Sequence, residues 1–318
     1  DLWHWDATSR TLTLKDGFYH VSEVDEGANI TLPTGSTVVI EGKATLYGFG
    51  DYQNGITCKG TLTIKGSGAD KSVLNIYASE EGVYTDGTLT VENIAANVEA
   101  GSDGFISHGE TVIRNAKLDF VTDDEGLDVN NNSSLLIENS TVKLVSDQEA
   151  IQVSENVIIK NCDVNVCSTD EEGIDAGKNI EITGGKLVVV ADENALEAEK
   201  VILTDVVFDI KTTNDDYYLI YMDNVENFSL PGTFRLYDSE GNQLYEGEWK
   251  DELLNEEGRL FVGEKEVCSA ASVVEEPEPE PDPEPTPEPK GDTVVIKIGS
   301  DAAEKGEQNP NTGAEVIG

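Results

Sequence analysis

The sequence predicts an all-β solenoid, in which coils of roughly 22 residues with three short strands each stack into three parallel sheets around one core. Three observations carry that prediction. An acidic stretch, Thr122-Asp123-Asp124-Glu125-Gly126-Leu127-Asp128-Val129, returns at Thr169 to Ala176, and a weaker copy at Ser146 to Val153 lies between them. Apolar residues after a Gly or Ala at a turn recur at Ile56, Val83, Phe105, Leu127, Ile151, Ile174 and Leu196, and by extension at Leu219. Asn93, Asn115, Asn139 and Asn161 follow the second strand of consecutive repeats, and Gly184 takes the next place. Asn and Gly tolerate the left-handed conformation that a sharp corner needs, and stacked Asn amides can bond from coil to coil. About eight coils follow from these anchors.

Residues 1–27 carry Trp3, Trp5, the alternation Thr11-Leu12-Thr13-Leu14, and Phe18-Tyr19. They read as an N-terminal β cap over an otherwise open core, with a sugar-stacking platform as the alternative. Residues 28–230 are the solenoid. Within the repeat at Leu127 the strands are Leu127 to Val129, Leu135 to Ile137 and Val142 to Val145, and the next two repeats follow the same scheme. Period-two alternation, β-branched enrichment and Gly, Asn or Asp turns argue for strands, and helical periodicity is absent.

The repeat stops after Leu230. Residues 231–269 hold Phe234-Arg235-Leu236-Tyr237, a Ser239 to Asn242 turn and Gln243-Leu244-Tyr245, a hairpin that would cap the last exposed edge. Residues 270–290 alternate Glu and Pro, an extended, self-repelling spacer. Residues 291–318 are polar and expected to be disordered apart from Thr293 to Ile298.

Charge narrows the partners. The chain has 63 acidic against 21 basic residues, a formal net charge of −42. Nucleic acid and anionic lipid would meet repulsion at long range, whereas divalent cations are natural partners. No apolar run approaches the ~18 residues of a membrane helix. No signal peptide is evident and the first residue is not Met, so a processed or trimmed secreted chain is expected. Cys58, Cys162, Cys167 and Cys268 show no zinc spacing and read as small apolar core residues, with a disulfide as the alternative.

With the anchors in register, each position becomes a column along the solenoid. Four residues before the anchor stand Asp123, Asp147, Asp170, Asp192 and Asp215; two before stand Glu81, Asp103, Glu125, Glu149, Glu172 and Asn194. One after, facing outward, stand Tyr84, Ile106, Asp128, Gln152, Asp175, Glu197 and Ile220. Rungs lie ~4.8 Å apart. Carboxylates roughly 5 to 7 Å apart at an effective dielectric near 20 repel by roughly 3 kcal/mol per pair. Bound Ca²⁺ resolves that conflict, because it takes six to eight oxygens in irregular geometry; the alternative is a merely solvated acidic face. Mg²⁺ demands stricter octahedra, and columns without His or Cys argue against zinc. Gln152, between Asp128 and Asp175, points to discrete sites rather than a continuous channel.

Catalytic signals are thin. His4, His20 and His108 are scattered, and no nucleophile triad is visible. A calcium-assisted lyase would need a base near a metal-bound uronate, and Lys178 is the candidate.

At this point the chain resembles the pectate-lyase-like right-handed parallel β-helix, whose asparagine ladder the Asn column matches. Gly173-Ile174-Asp175-Ala176-Gly177, followed by Asn179-Ile180 and Ile182-Thr183-Gly184-Gly185, resembles the calcium-binding, carbohydrate-binding β-helix family of clostridial cell-surface proteins. The resemblance covers about 28 to 230. It implies binding of plant cell-wall polysaccharides, including polygalacturonate. It also marks Asp123, Glu125, Asp128, Asp147, Glu149, Asp170, Glu172, Asp175, Asp192 and Glu197, with the adjoining Asp124, as candidate calcium ligands. Asn309-Pro310-Asn311-Thr312-Gly313 is similar to the sorting signal read by sortases of Gram-positive bacteria, which join the Thr carboxyl to peptidoglycan. A chain truncated shortly after that motif is expected, since the usual apolar segment and basic end do not follow it.

The leading expectation is therefore a secreted, wall-anchored protein holding several Ca²⁺ ions and, through them, an acidic or plant-derived polysaccharide. Tyr217, Tyr218 and Tyr221 are candidate sugar contacts, or else packing of the last coil. The alternatives are a calcium-dependent polysaccharide lyase and a structural adhesin that uses calcium only for rigidity.

Overall fold

The computed structural model describes residues 1–20, 27–48, 53–255 and 259–274. The expected Glu/Pro spacer beyond 274, the strand-like Thr293 to Ile298 and the sorting motif Asn309 to Gly313 lie outside the described residues.

Among the described residues the fold is all-β, with one short 3-10 turn at Asp251–Leu253. Three parallel sheets run along the solenoid, each with nine rungs. Sheet one starts at Gly27–Pro33 and ends at Ile220–Met222. Sheet two runs from Thr11–Leu14 to the second half of Leu196–Thr204. Sheet three runs from Gly17–His20 to Val207–Thr212.

Nine turns rather than about eight arise because the ladder reaches further toward the N-terminus than residue 28. Thr11–Leu14 and Gly17–His20 pair in parallel with Ser36–Ile40 and Lys43–Gly48, so they are rungs. Trp3–Asp6, antiparallel to Thr11–Leu14, lies outside the parallel ladder.

Alternation does what the pattern requires. In Lys117–Thr122 the side chains alternate strictly between solvent and core, as a strand with one buried face must. Leu, Ile and Val from all three sheets fill the interior, joined by the edge-packed rings of Phe105 and Phe120, 4.6 Å apart. Cys58, Cys162 and Cys268 are buried free thiols within it, raised in pKa chiefly by burial, and Cys167 is half-buried.

The corner after sheet two is left-handed in every coil from Asn93 onward. Asn93, Asn115, Asn139 and Asn161 have φ of 55°, 49°, 50° and 51°, and Gly184 (67°) and Asp205 (51°) continue the file. The Asn115 amide donates to the Asn93 side-chain oxygen at 3.3 Å.

One anchor differs from the sequence reading. Leu196 pairs with Ile220, not Leu219. Both residues are apolar and buried, so spacing alone does not separate them; the turn through Asn214 to Tyr218 is longer than its predecessors and shifts the register. Ile220 therefore points into the core, and Tyr221 takes the outward place beside Glu197.

At the C-terminal end, Ser269–Ser272 pairs antiparallel with both Val207–Thr212 and Phe234–Tyr237, and the latter pairs with Gln243–Gly247. These antiparallel strands cover the last rung of sheet three, as a solenoid edge requires. The strand at Ser269–Ser272 crosses the boundary that composition placed at 270.

A candidate cation trough at the turns into sheet one

The turns before five successive sheet-one strands are held to the next coil by their own backbone. The N–H groups of Gly82, Gly104, Gly126, Ala150 and Gly173 donate to the carbonyls of Asp103, Glu125, Glu149, Glu172 and Asn194 at 2.9 to 3.3 Å. Those bonds fix the residues two before the anchor in one file. Beside it runs the outward file Asp128, Gln152, Asp175, Glu197 and Tyr221, rung against rung. Side chains of the two files meet in a trough.

Its first station holds Asp103, Glu125, Asp128 and Glu149. Asp103, Asp128 and Glu149 are only 7%, 6% and 7% exposed. Asp103 accepts from Ser102 Oγ at 3.2 Å and from the Glu125 backbone N–H at 3.3 Å. Asn130 Nδ2 donates to Asp128 Oδ2 at 2.6 Å, and Gln152 Nε2 to Glu149 Oε1 at 2.7 Å. The other oxygens, Asp128 Oδ1 and Glu149 Oε2, are buried without a hydrogen-bond partner among the described residues.

At the second station, ligand oxygens of Glu149, Glu171 and Glu172 lie within 4.8 Å of one another. Glu171 gets there through an extra residue in its turn. Ser146 and Ser168 face each other across the sheet, yet the anchors that follow are Ile151 and Ile174, five and six residues on. At the third station Asn194 Nδ2 donates to Glu172 Oε1 at 3.3 Å and to Glu197 Oε2 at 2.7 Å, with Asp175 on the rung between Gln152 and Glu197.

The acids respond to burial and to each other. Asp128 is pushed to about 7, by burial first and then by Asp103. Asp175 rises to about 6, by burial and then by Glu197 and Glu149. Burial raises Glu125, helped by its contact with Asp103, and raises Glu172, helped by Glu197 and Glu193. Contact with Glu149 is the leading cause of the rise at Glu171. Among the described residues, no ion pair reaches any of these carboxylates. An unneutralised cluster of this kind holds protons that water-exposed acids would release.

The column four before the anchor forms an outer rim instead. Asp123, Asp147 and Asp170 are exposed. Asp147 accepts from Thr169 Oγ1 at 3.0 Å, and Asp192 from Thr213 Oγ1 at 3.1 Å. Asp124 accepts from Ser102 Oγ at 3.0 Å and from Gln148 Nε2 at 2.8 Å. Lys178 is exposed and paired with Glu155, which belongs to neither file.

Of the tyrosines, Tyr218 packs edge-on to Tyr221 with ring centroids 5.2 Å apart and lies 4.0 Å beneath the Arg259 guanidinium. Contact with Glu193 pushes the Tyr217 phenol up to about 12. Tyr217 and Tyr221 thus border the third station. Glu171 and Glu193 were absent from the sequence-derived ligand set, and Asp103 stood only in its column. Counting Glu171's turn from both flanking strands would have revealed the inserted residue.

The family model described as "Carbohydrate-binding domain-containing protein" matches residues 7–216. No curated protein matches, and no solved structure matches.

Proposed function

We propose, from the premise that this chain belongs to the carbohydrate-binding domain-containing protein family, that its trough holds Ca²⁺ and through it an acidic polysaccharide. Family membership supports carbohydrate binding; the cation and the uronate are the finer part of the reading. The observation that carries it is the pair of buried oxygens without partners, Asp128 Oδ1 and Glu149 Oε2. A carboxylate oxygen shut away from water without a donor is costly. Two of them in an all-oxygen donor set fit a hard cation better than they fit a solvated acidic face.

Asp103, Glu125, Asp128 and Glu149 would hold one ion, and Glu149, Glu171 and Glu172 another, with Asp175 and Glu197 beside the third station. Ca²⁺, when bound, would neutralise these charges and leave coordination positions for a sugar carboxylate. The chain's own part is to present oxygens from adjacent coils at a fixed spacing and to keep Gln152 and Asn194 as neutral separators. The exposed rim aspartates extend the negative field into solvent and draw cations inward.

The sorting-type motif Asn309 to Gly313 and the Glu/Pro segment before it support secretion and covalent attachment to a cell wall. Affinity electrophoresis in gels containing polygalacturonate tests the binding proposal. Retardation with calcium that vanishes in chelator is expected. Equal retardation in both would refute calcium-mediated binding.

A further inference from the structure

Sheet three carries two outward files that the trough does not use. One is aromatic. Tyr47 and Tyr77 stack with centroids 5.0 Å apart and planes 9° apart, close to the rung spacing, and Phe18, which stands opposite Thr45 in the neighbouring file, reaches to 6.0 Å from Tyr47. On the next two rungs that file continues as Glu99 and Val121, so the ring ladder stops at Tyr77. The other file is polar. Asn75 Nδ2 donates to Thr45 Oγ1 at 3.0 Å and Asn97 Nδ2 to Asn75 Oδ1 at 2.8 Å, while Lys143 Nζ holds Asp119 Oδ1 at 3.0 Å.

Where the ladder stops there is an open slot of about 120 Å³, bounded by Tyr77, Asn97, Glu99, Asp119 and Val121. Tyr77 is stacked on Tyr47 on one side and meets the slot on the other. Val121, 51% exposed, forms the far wall. Tyr77 and Val121 are two rungs apart, about 9.6 Å, and Glu99 stands on the rung between them; its exposed side chain can lean into solvent and leave that gap to one flat ring.

Resting on the carbohydrate-binding reading, we infer that this slot is a subsite for a neutral pyranoside ring, stacked on Tyr77 where a third aromatic would otherwise stand. An aromatic face suits the apolar C–H face of a sugar. The Asn97 amide nitrogen is committed to Asn75 and Lys143 holds Asp119 Oδ1, so the Asn97 oxygen, the Glu99 carboxylate and Asp119 Oδ2 are left to accept from hydroxyls. Asp119 is paired with Lys143, but the Glu99 carboxylate, which has no ion pair among the described residues, repels a uronate, so the slot favours a neutral sugar, in contrast to the trough. No bound cation is required for such binding.

The test is calorimetric titration of gluco-, xylo- and mannohexaose (β-1,4-linked) into the full chain, with calcium and with chelator. Binding of at least one neutral hexaose in both conditions is expected. Glu99→Tyr extends the ring ladder into the slot and should weaken that binding at least tenfold. Because Glu99 is exposed, an unchanged melting temperature is the control. Glu99→Gln should weaken it severalfold less. The inference is overturned if none of the three binds, if Glu99→Tyr binds as the parent does, or if chelator abolishes the binding. Calcium-dependent retardation on polygalacturonate is scored separately, so each of these outcomes leaves the trough reading to stand or fall by its own assay.

Discussion

Replacing Asp128 with Asn should move stability in opposite directions with and without calcium. Asp128 is 6% exposed and its carboxyl is raised from 3.8 to about 7. At about 1.4 kcal/mol per pKa unit, ionising it in the metal-free fold costs roughly 4 kcal/mol. Asn keeps the shape and can still accept from Asn130, but it removes the charge. At about pH 8 in chelator, Asp128→Asn should therefore stabilise the fold by up to roughly 4 kcal/mol, a rise in Tm on the order of 10 °C for a domain of this size. With millimolar calcium the variant has lost a ligand, and the stabilisation that calcium gives the parent should shrink. Thermal denaturation in both buffers measures the pair of effects. A variant destabilised in chelator, or one that gains as much from calcium as the parent, would contradict the assignment of Asp128 to a cation site.

Other outcomes follow from the same geometry. Acids whose folded pKa is raised bind more protons folded than unfolded, so metal-free stability should fall as pH rises from about 4 to about 8. Saturating calcium should flatten that fall; a metal-free Tm that climbs across the range would contradict the shifts at Asp128 and Asp175. Glu149→Gln, which touches the first and second stations, should reduce both the number of calcium ions bound, counted by equilibrium dialysis, and retention on polygalacturonate. Asn139→Ala places a Cβ-bearing residue without a local amide at φ 50° and should cost about 1 to 2 kcal/mol in denaturant titration. Asn139→Gly should cost less, and equal losses would argue against backbone strain as the cause.

The solenoid was legible because its signals are periodic and local. A strand with one buried face must alternate, and a corner at positive φ selects Asn or Gly, so the anchors from Ile56 to Leu196 and the Asn file could be aligned without coordinates. Register failed where two apolar residues adjoin, at Leu219 and Ile220, because burial does not distinguish them. At the N-terminus, Thr11–Leu14 alternates as a cap strand would. Only its parallel pairing with Ser36–Ile40, a long-range property, makes it a rung.

The trough was half legible. Columns identified which residues stack, but not which face inward. The aspartates four before the anchor recur as regularly as the glutamates two before it, yet Asp123, Asp147 and Asp170 stand exposed and Asp192 half-buried while Glu149 is buried. Glu171 reaches the trough through a one-residue insertion that disturbs the period from which the columns were built. The sheet-three slot was not legible either, since its file changes from Tyr47 and Tyr77 to Glu99 and Val121, and the slot lies where the repeated chemistry ends.

The claim that the turn carboxylates exist to hold a cation is tested most directly by titrating Ca²⁺ calorimetrically into metal-free protein near neutral pH. Binding of more than one ion with release of protons is predicted, because acids held protonated by burial must ionise to become ligands. Absence of measurable heat and of proton release at millimolar calcium would contradict it.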